Sequence, residues 1–484
     1  MPPSDRYRPA PRITRLADPF FDDVAPARFP KHVLRFRNDR AAARVGLDTL
    51  TPAEWEAHFA RFEPLPGNLP APLALRYHGH QFDVYNPQLG DGRGFLFAQL
   101  LDAQDDRLLD LGTKGSGRTP WSRGGDGKLT LKGGVREILA TELLEALAVP
   151  TSKTFSLFET GEALMRGDEP SPTRSSVLVR LSHSHVRFGT FQRLAYLDDA
   201  ASTQRLFEYV VENFFPACAT PAALLGAIVA RTADLCAAWM VAGFVHGVLN
   251  SDNMNVTGES FDYGPFRFLP RYDPAFTAAY FDHARLYAFG RQPEAVLRNL
   301  VRLAEALTPI APRDELGPAL RSYEAHLGES VRRRMLGRLG VASVGVDEDA
   351  ALVGAAFDLL ETTRVGYERF FFDWYGGVAS ERRAQASPEH EAYRGAEFDL
   401  FRAALERHAP LDPARLAHPY FARRDPCTLL IEEVEALWAR IAVDDDWSAL
   451  DAKVVDIRAM GHALGDGVTE PTSGSRSDSE SESD

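Results

Sequence analysis

"HGVLNSDN", His246 to Asn253, is the stretch on which the fold turns. It follows Ala222 to Phe244, a segment apolar almost all round, the mark of a buried helix. Nine residues after Asn253 comes "DYG", Asp262 to Gly264. An amide and a carboxylate in such a pair suit Mg²⁺, a hard cation that takes oxygen ligands and shares itself with substrate phosphates. Asp252 is the only acidic residue of the loop and so its candidate base. The plainer alternative, an Asp that caps a turn, leaves Asn253 and Asp262 unaccounted for.

Phosphotransferases of the kinase type carry H-[RG]-D-x-x-x-x-N, in which the Asp accepts the hydroxyl proton and the Asn holds a metal. His246 and Asn253 keep that spacing, but the base position holds Val248. Working outward, Gly94–Leu101 and Arg107–Thr113 are strand-like runs joined by an acidic turn, a hairpin. "GGVREILATELLEALAVPT" has Val135, Ile138, Leu139 and Leu143 at helical spacing and stops at Pro150. Strand-like runs follow near Thr154–Glu159 and Ser176–Leu181, and the pattern turns helical after Phe207. Short strand-like pieces are expected in "MNVTGESFDYGPF", then mostly helices to about Leu464. The expected fold is α+β and bilobal, protein-kinase-like, with a β-rich N-lobe holding one key helix and a mostly helical C-lobe. The expected divisions are an irregular wrapping segment over 1–60, an N-lobe over 61–195, a C-lobe over 196–464 and a disordered acidic tail over 465–484. Within the first of these, "TPAEWEAHF" starts a helix, with Thr51 as N-cap, Pro52 in the first turn and Glu54 closing a capping box.

Lysine is scarce, six against 48 arginines, and four of the six (Lys114, Lys128, Lys132, Lys153) crowd one region. Lys114 ends the strand "LLDLGTK", where a phosphate-binding Lys would stand. Such a Lys needs a carboxylate from the following helix. Glu137, at the helix opening, is the first choice, with Glu142 and Glu145 as rivals. A lone surface Lys is usually paired with nothing that matters, so Lys114 gains weight only from the downstream loop. "LGDGRG" (Gly90, Gly92, Arg93, Gly94) and "RGGDG" (Gly124 to Gly127) could cradle phosphate through backbone N–H groups. Each alone reads as a tight turn, and neither is followed by GK[ST]. Arg180 and Arg187 in "VRLSHSHVRFGTFQ" offer forked donors suited to phosphate, although most of 48 arginines must be ordinary surface charge. His78/His80 and His183/His185 form H-x-H pairs without an apparent third ligand, which favours structural roles.

A net charge of −14 argues against nucleic acid or an anionic membrane as partner. Cys218, Cys236 and Cys427 show no CxxC or zinc spacing and suit a reducing cytosol. The N-terminus has no apolar signal core, and Arg231 and Asp234 interrupt the apolar run Leu224–Leu249, so no membrane span and a cytoplasmic setting are expected.

At "GHQF…QLGDGRG", "KGSGRTPWSRGGDGK…REILATE", "LVRLSHSHVRFGTF" and "GFVHGVLNSDNMNVTGESFDYGPF" the sequence resembles the selenoprotein O family, the bacterial YdiU-type proteins. The resemblance runs from about Arg15 into the helical C-terminal region. It implies a kinase-like protein adenylyltransferase that binds ATP reversed relative to kinases and moves AMP, or UMP, to Ser, Thr or Tyr hydroxyls of proteins. By matching positions, it implies that Gly90, Gly92, Arg93, Lys114, Asp126, Gly127, Arg180, Arg187 and Asp262 bind the nucleotide. Asn253 and Asp262 would hold Mg²⁺, with Mn²⁺ as the alternative. Asp252 would be the proton acceptor, and Glu137 would pair with Lys114. ATP and protein acceptors are the implied partners, and a monomer is expected. Many relatives carry a selenocysteine or cysteine near the C-terminus. Here the last cysteine is Cys427, and "YDPAFTAAYFD" lacks the cysteine relatives often have there, so disulfide control is not expected. The rivals are an atypical kinase transferring the γ-phosphoryl group, which Val248 disfavours, and a non-catalytic nucleotide-binding pseudokinase, which a retained Lys114, Asn253 and Asp262 disfavour.

Overall fold

The computed structural model describes residues 4–167 and 169–465. The acidic tail expected to be disordered lies, from residue 466 on, outside the described residues. Among the described residues the first half of the chain supplies ten strands: β1 (Phe21–Asp23), β2 (Val33–Arg37), β3 (Leu73–Leu75), β4 (Gly79–Gln81), β5 (Val84–Asn86), β6 (Leu96–Leu101), β7 (Leu108–Lys114), β8 (Leu129–Thr130), β9 (Lys153–Leu164) and β10 (Thr173–Ser182). Eight of them form one antiparallel sheet in the order β1-β3-β6-β7-β10-β9-β2, with β8 paired to β10. β4 and β5 stand apart as a hairpin. The expected hairpin is β6–β7. The mixed α+β class holds: an antiparallel sheet region comes first and a mostly helical region follows.

The first sixty residues are more than an irregular wrap. β1 and β2 are the two edges of the sheet, and helices α1 (Asp39–Arg44) and α2 (Pro52–Phe59) cover one of its faces. α2 begins with the expected capping box of Thr51 and Glu54. Its Trp55 stacks on Phe155 at 5.0 Å and donates to Ser156 Oγ at 3.0 Å. Proline-rich composition hides such edge strands, because an edge strand needs a partner on one side only.

Side-chain alternation places the charged residues. Along β10, Val177, Val179 and Leu181 face the cluster around Trp55, whereas Leu178 joins the core on the other side. Period two therefore sends Arg180 to the same side as Leu178. β7 pairs Lys114 with Leu178 and Gly112 with Arg180, so Lys114 and Arg180 share that inner face, diagonal to one another. Helix α3 (Leu131–Ala146) packs across it through Val135, Ile138 and Leu139. It starts earlier than the glycines suggest, with Thr130 capping Gly133 N, so Glu137 lies in its second turn and not at its opening.

Helical structure also begins before Phe207, at α4 (Phe188–Tyr196) and α5 (Ala200–Phe214). α6 (Pro221–Val241) is the expected buried helix. Among the described residues it is the one helix long and apolar enough to cross a membrane, but 67% of that window is buried in the protein core. Phe244–Val245 and Arg267–Phe268 pair as two short antiparallel strands and bracket the intervening loop. Within "MNVTGESFDYGPF" the expected strands reduce to isolated bridges, Arg187 to Asn255 and Thr151 to Ser260. Two hydrogen-bonded residues in one segment do not make a strand, but they tie this segment to the sheet region at two points.

Candidate active site

The inner face of the sheet, the two glycine-rich stretches and the 246–266 loop enclose a cleft of about 720 Å³. Gly90, Gly92, Arg93, Lys114, Asp126, Gly127, Arg180, Arg187, Asp252, Asn253 and Asp262 all line it. Of the sequence-derived site residues only Glu137 lies behind the wall. Lys114 Nζ meets Glu137 Oε2 at 2.7 Å, with Lys114 3% and Glu137 1% exposed. The rival carboxylates are engaged elsewhere: Glu142 holds Arg458 at 2.7 Å, and Glu145 meets Arg40 at 3.0 Å.

Asp262 is the electrostatic centre. Its Oδ1 lies 3.3 Å from Lys114 Nζ and 3.0 Å from Arg180, and its Oδ2 lies 3.1 Å from Arg187. Burial works to raise its pKa, but Arg180, Lys114 and Arg187 together hold it well below the usual carboxylate range. Asp262 thus stays an anion, able only to accept. Its φ of +65° turns the chain sharply just before Tyr263 and Gly264. His246 steadies that turn. Its Nε2 donates to the Phe261 carbonyl at 3.2 Å, and burial lowers its pKa to about 4, so it is a neutral structural strut.

Arg187 is a hub. It donates to the Asp252 carbonyl at 2.8 Å, to Asp262, and to Asp91 Oδ1 at 3.3 Å. Its guanidinium sits 4.4 Å from the Tyr77 ring and 4.8 Å from that of Phe261, which orients the planar fork.

Asp252 differs from Asp262. Its Oδ1 is buried and has no hydrogen-bond partner among the described residues, while Oδ2 receives a long 3.5 Å contact from Gln81 Nε2. Burial raises its pKa to about 6, partly opposed by Arg187. A carboxylate with an uncommitted oxygen and a raised pKa is equipped to take a proton. Val248 also lines the cleft, and its carbonyl accepts from Asn253 Nδ2 at 2.9 Å. That bond fixes the amide and leaves Asn253 Oδ1 as the end available to a cation. Asn253 Oδ1 and the ionised Asp262 are hard oxygen donors, so the residues present fit Mg²⁺ chemically.

The two glycine-rich stretches form one wall, joined by a residue that sequence reasoning missed. A Cβ at Gly90 would lie 2.4 Å from the Trp121 ring, and one at Gly92 would lie 2.7 Å from the Trp121 carbonyl. Trp121 therefore rests where only glycine allows it. Ser122 Oγ donates to the Gly92 carbonyl and Thr119 Oγ1 to that of Asp91, each at 2.5 Å. Asp126 turns to Arg166 at 2.8 Å and caps Lys128 N, so it shapes the 124–127 turn as well as lining the cleft. Asp91 and Gln81 were also missed. Asp91 stood inside "LGDGRG" and Gln81 inside "GHQF", both quoted stretches, but their partners lie too far along the chain to be read from spacing. The histidine pairs have structural partners: His78 with Tyr85, His80 with Gln192 and His185 with Asp110.

Fixed positive charge around a glycine-walled cleft accommodates phosphate esters, and the chain is an enzyme of the nucleotidyltransferase class. The family model "Protein adenylyltransferase SelO" matches residues 6–458. The sequence is 46% identical over 457 residues to "Protein nucleotidyltransferase YdiU" of Gloeobacter violaceus, covering 91% of this chain and 92% of the relative. It is 42% identical over 485 residues to the protein of the same name from Synechococcus elongatus, covering 96% and 97%. With the one from Vibrio cholerae it shares 39% over 363 residues, covering 74% and 73%. The chain belongs to the SelO family of protein adenylyltransferases.

Proposed function

We propose that the protein transfers AMP from ATP, or UMP from UTP, to Ser, Thr or Tyr hydroxyls of other proteins, from a bilobal kinase-like cleft that holds the nucleotide reversed. One lobe would span about 61–195 and the other 196–464, with the cleft between them. The observation that carries this reading is the uncommitted Asp252 oxygen in a loop whose usual base position is Val248. A base moved along the loop receives its hydroxyl at a different point of the nucleotide, and the α-phosphorus is the point that a reversed ATP would offer.

In that arrangement the acceptor oxygen attacks the α-phosphorus, its proton passes to Asp252, and the bond to the β-phosphate oxygen breaks. Pyrophosphate leaves toward Lys114, Arg180 and Arg187, whose charges are already fixed in place and need no reorganisation. Glu137 keeps Lys114 extended into the cleft. Asn253 and Asp262 would hold Mg²⁺, or Mn²⁺ as the alternative, and the ion when bound offsets negative charge on the phosphates. Such a reaction depends on positioning and charge more than on a strong base. We take the working form to be a cytoplasmic monomer. A net charge of −14 supports a protein acceptor over a nucleic acid one.

Asp252→Ala is expected to lower AMP transfer by about a thousandfold while leaving ATP affinity within a factor of about two, as removal of a general base should. Chelation by EDTA should stop transfer by the unaltered protein, and added Mg²⁺ or Mn²⁺ should restore it. Transfer measured with α-labelled ATP checks both, and full activity in Asp252→Ala would remove Asp252 from the reaction.

A further inference from the structure

Exposed apolar side chains that the chemistry above does not use stand near the cleft. The hairpin Gly79–Asn86 turns at Phe82 and Asp83, whose φ values are +48° and +63°. Its register opposes Gly79 to Asn86, His80 to Tyr85 and Gln81 to Val84. Opposed residues of an antiparallel pair share a face, so Gln81, Val84 and Asn86 form one face and His80 and Tyr85 the other. The second face is covered. His80 Nδ1 meets Gln192 Nε2 at 2.9 Å, and Tyr85 stacks on Tyr196 at 5.3 Å.

The first face is open at Val84, which is 69% exposed, and half-buried at Gln81 and Asn86; Gln81 lines the cleft and reaches Asp252. Asn86 Nδ2 donates to Gln81 Oε1 at 3.1 Å, which points the Gln81 amide nitrogen at Asp252. The hairpin is pinned to the same loop by Phe82 N to Asn250 Oδ1 at 3.1 Å and His80 N to Ser251 Oγ at 2.8 Å. Beside the turn, Phe82 touches Phe281 at 5.8 Å, and Phe281 meets Tyr280, which is 77% exposed. Exposed apolar side chains, Val84 and the Tyr280–Phe281 pair, thus stand on the hairpin and beside its turn, and the Gln81 amide on the same hairpin meets Asp252. Asp83 at the tip is paired with Arg302 and Arg298.

We propose that the Gln81–Val84–Asn86 face and the Tyr280–Phe281 ridge dock the polypeptide acceptor, as an extended segment with apolar residues flanking the modified hydroxyl. The proposal rests on protein AMP transfer at Asp252. It commits to a polypeptide because the family's acceptors are proteins and the Gln81 amide of that face meets the proton acceptor. The chain's own tail, "GDGVTEPTSGSRSDSESESD", is acidic and nearly devoid of apolar residues, and so does not match an apolar surface. Exposed apolar surface next to a reactive group is where recognition of a partner segment is expected.

The test uses short peptides with one central Ser, Thr or Tyr, flanked by Leu and Phe in one set and by Gly and Asp in the other, with α-labelled and γ-labelled ATP. The wild-type protein is expected to prefer the apolar-flanked set by about tenfold or more in kcat/KM, the scale on which one or two buried apolar groups discriminate. Val84→Asp and Tyr280→Asp should each erase most of that preference by raising the peptide KM. Both residues are exposed, so ATP affinity, melting temperature and kcat at saturating peptide should stay as in the wild type. α-Label transfer by the wild type without flank preference, or with unchanged peptide KM in both variants, would overturn the docking surface alone. γ-Label transfer, or no label from either nucleotide, would overturn the transfer reaction and the docking surface with it.

Discussion

Asp262→Ala is expected to abolish nucleotidyl transfer while leaving ATP bound. Asp262 sits among Lys114, Arg180 and Arg187, within 3.3 Å of each, and is their shared counter-charge. Removing it leaves three buried or nearly buried cations facing one another across the cleft. Phosphates can replace the lost negative charge, so metal-free ATP affinity should be equal to or tighter than that of the wild type. Transfer should nonetheless fall by about a thousandfold or more, because the proposed metal loses its one charged ligand from the protein and the phosphates lose their register. Calorimetric titration of ATP in EDTA, beside transfer assays in Mg²⁺, separates the two effects. Loss of ATP binding in step with activity would mean that Asp262 serves mainly to build the pocket.

Lys114→Met should act on stability as well as activity. The Lys114–Glu137 pair is nearly inaccessible to solvent, and Glu137 Oε1 already lacks a hydrogen-bond partner. Deleting the lysine leaves a carboxylate buried on α3 with Arg180 as its nearest cation, at 3.8 Å. Breaking a buried pair from one side costs about 3–5 kcal/mol, chiefly through the uncompensated charge left behind. The double variant Lys114→Met, Glu137→Gln removes that charge and should recover most of the stability without recovering transfer. Urea unfolding of the two single variants and the double variant measures the coupling. A double variant as unstable as Lys114→Met alone would assign the loss to packing.

The sequence showed the parts that lie close together along the chain. The β6–β7 hairpin, the capped helix at Pro52–Phe59, the buried helix before His246 and the Asn253–Asp262 spacing were legible because periodicity and local motif determine each of them. Lys114 and Glu137, 23 residues apart, could be paired because a strand followed by a helix brings them face to face. What could not be read spans longer distances. β1 and β2 pair with strands far along the chain, through backbone groups that leave no residue signature. Gln81 meets Asp252 across 171 residues, and Trp121 closes the wall over Gly90 through shape alone. Arg187 stood out in the sequence as one of two arginines beside the H-x-H motif, but its grip on Asp91 and the Asp252 carbonyl needed the folded chain.

The central claim is that the α-phosphorus, and not the γ-phosphorus, is the reacting centre. One paired experiment tests it directly: purified protein, Mg²⁺ and a protein acceptor are incubated with α-labelled ATP or with γ-labelled ATP, and Asp262→Ala serves as control. Label on protein is expected from the α-phosphate alone, and is expected to be lost in the variant. Label from the γ-phosphate would contradict the claim and make the protein a kinase working through an unusual base.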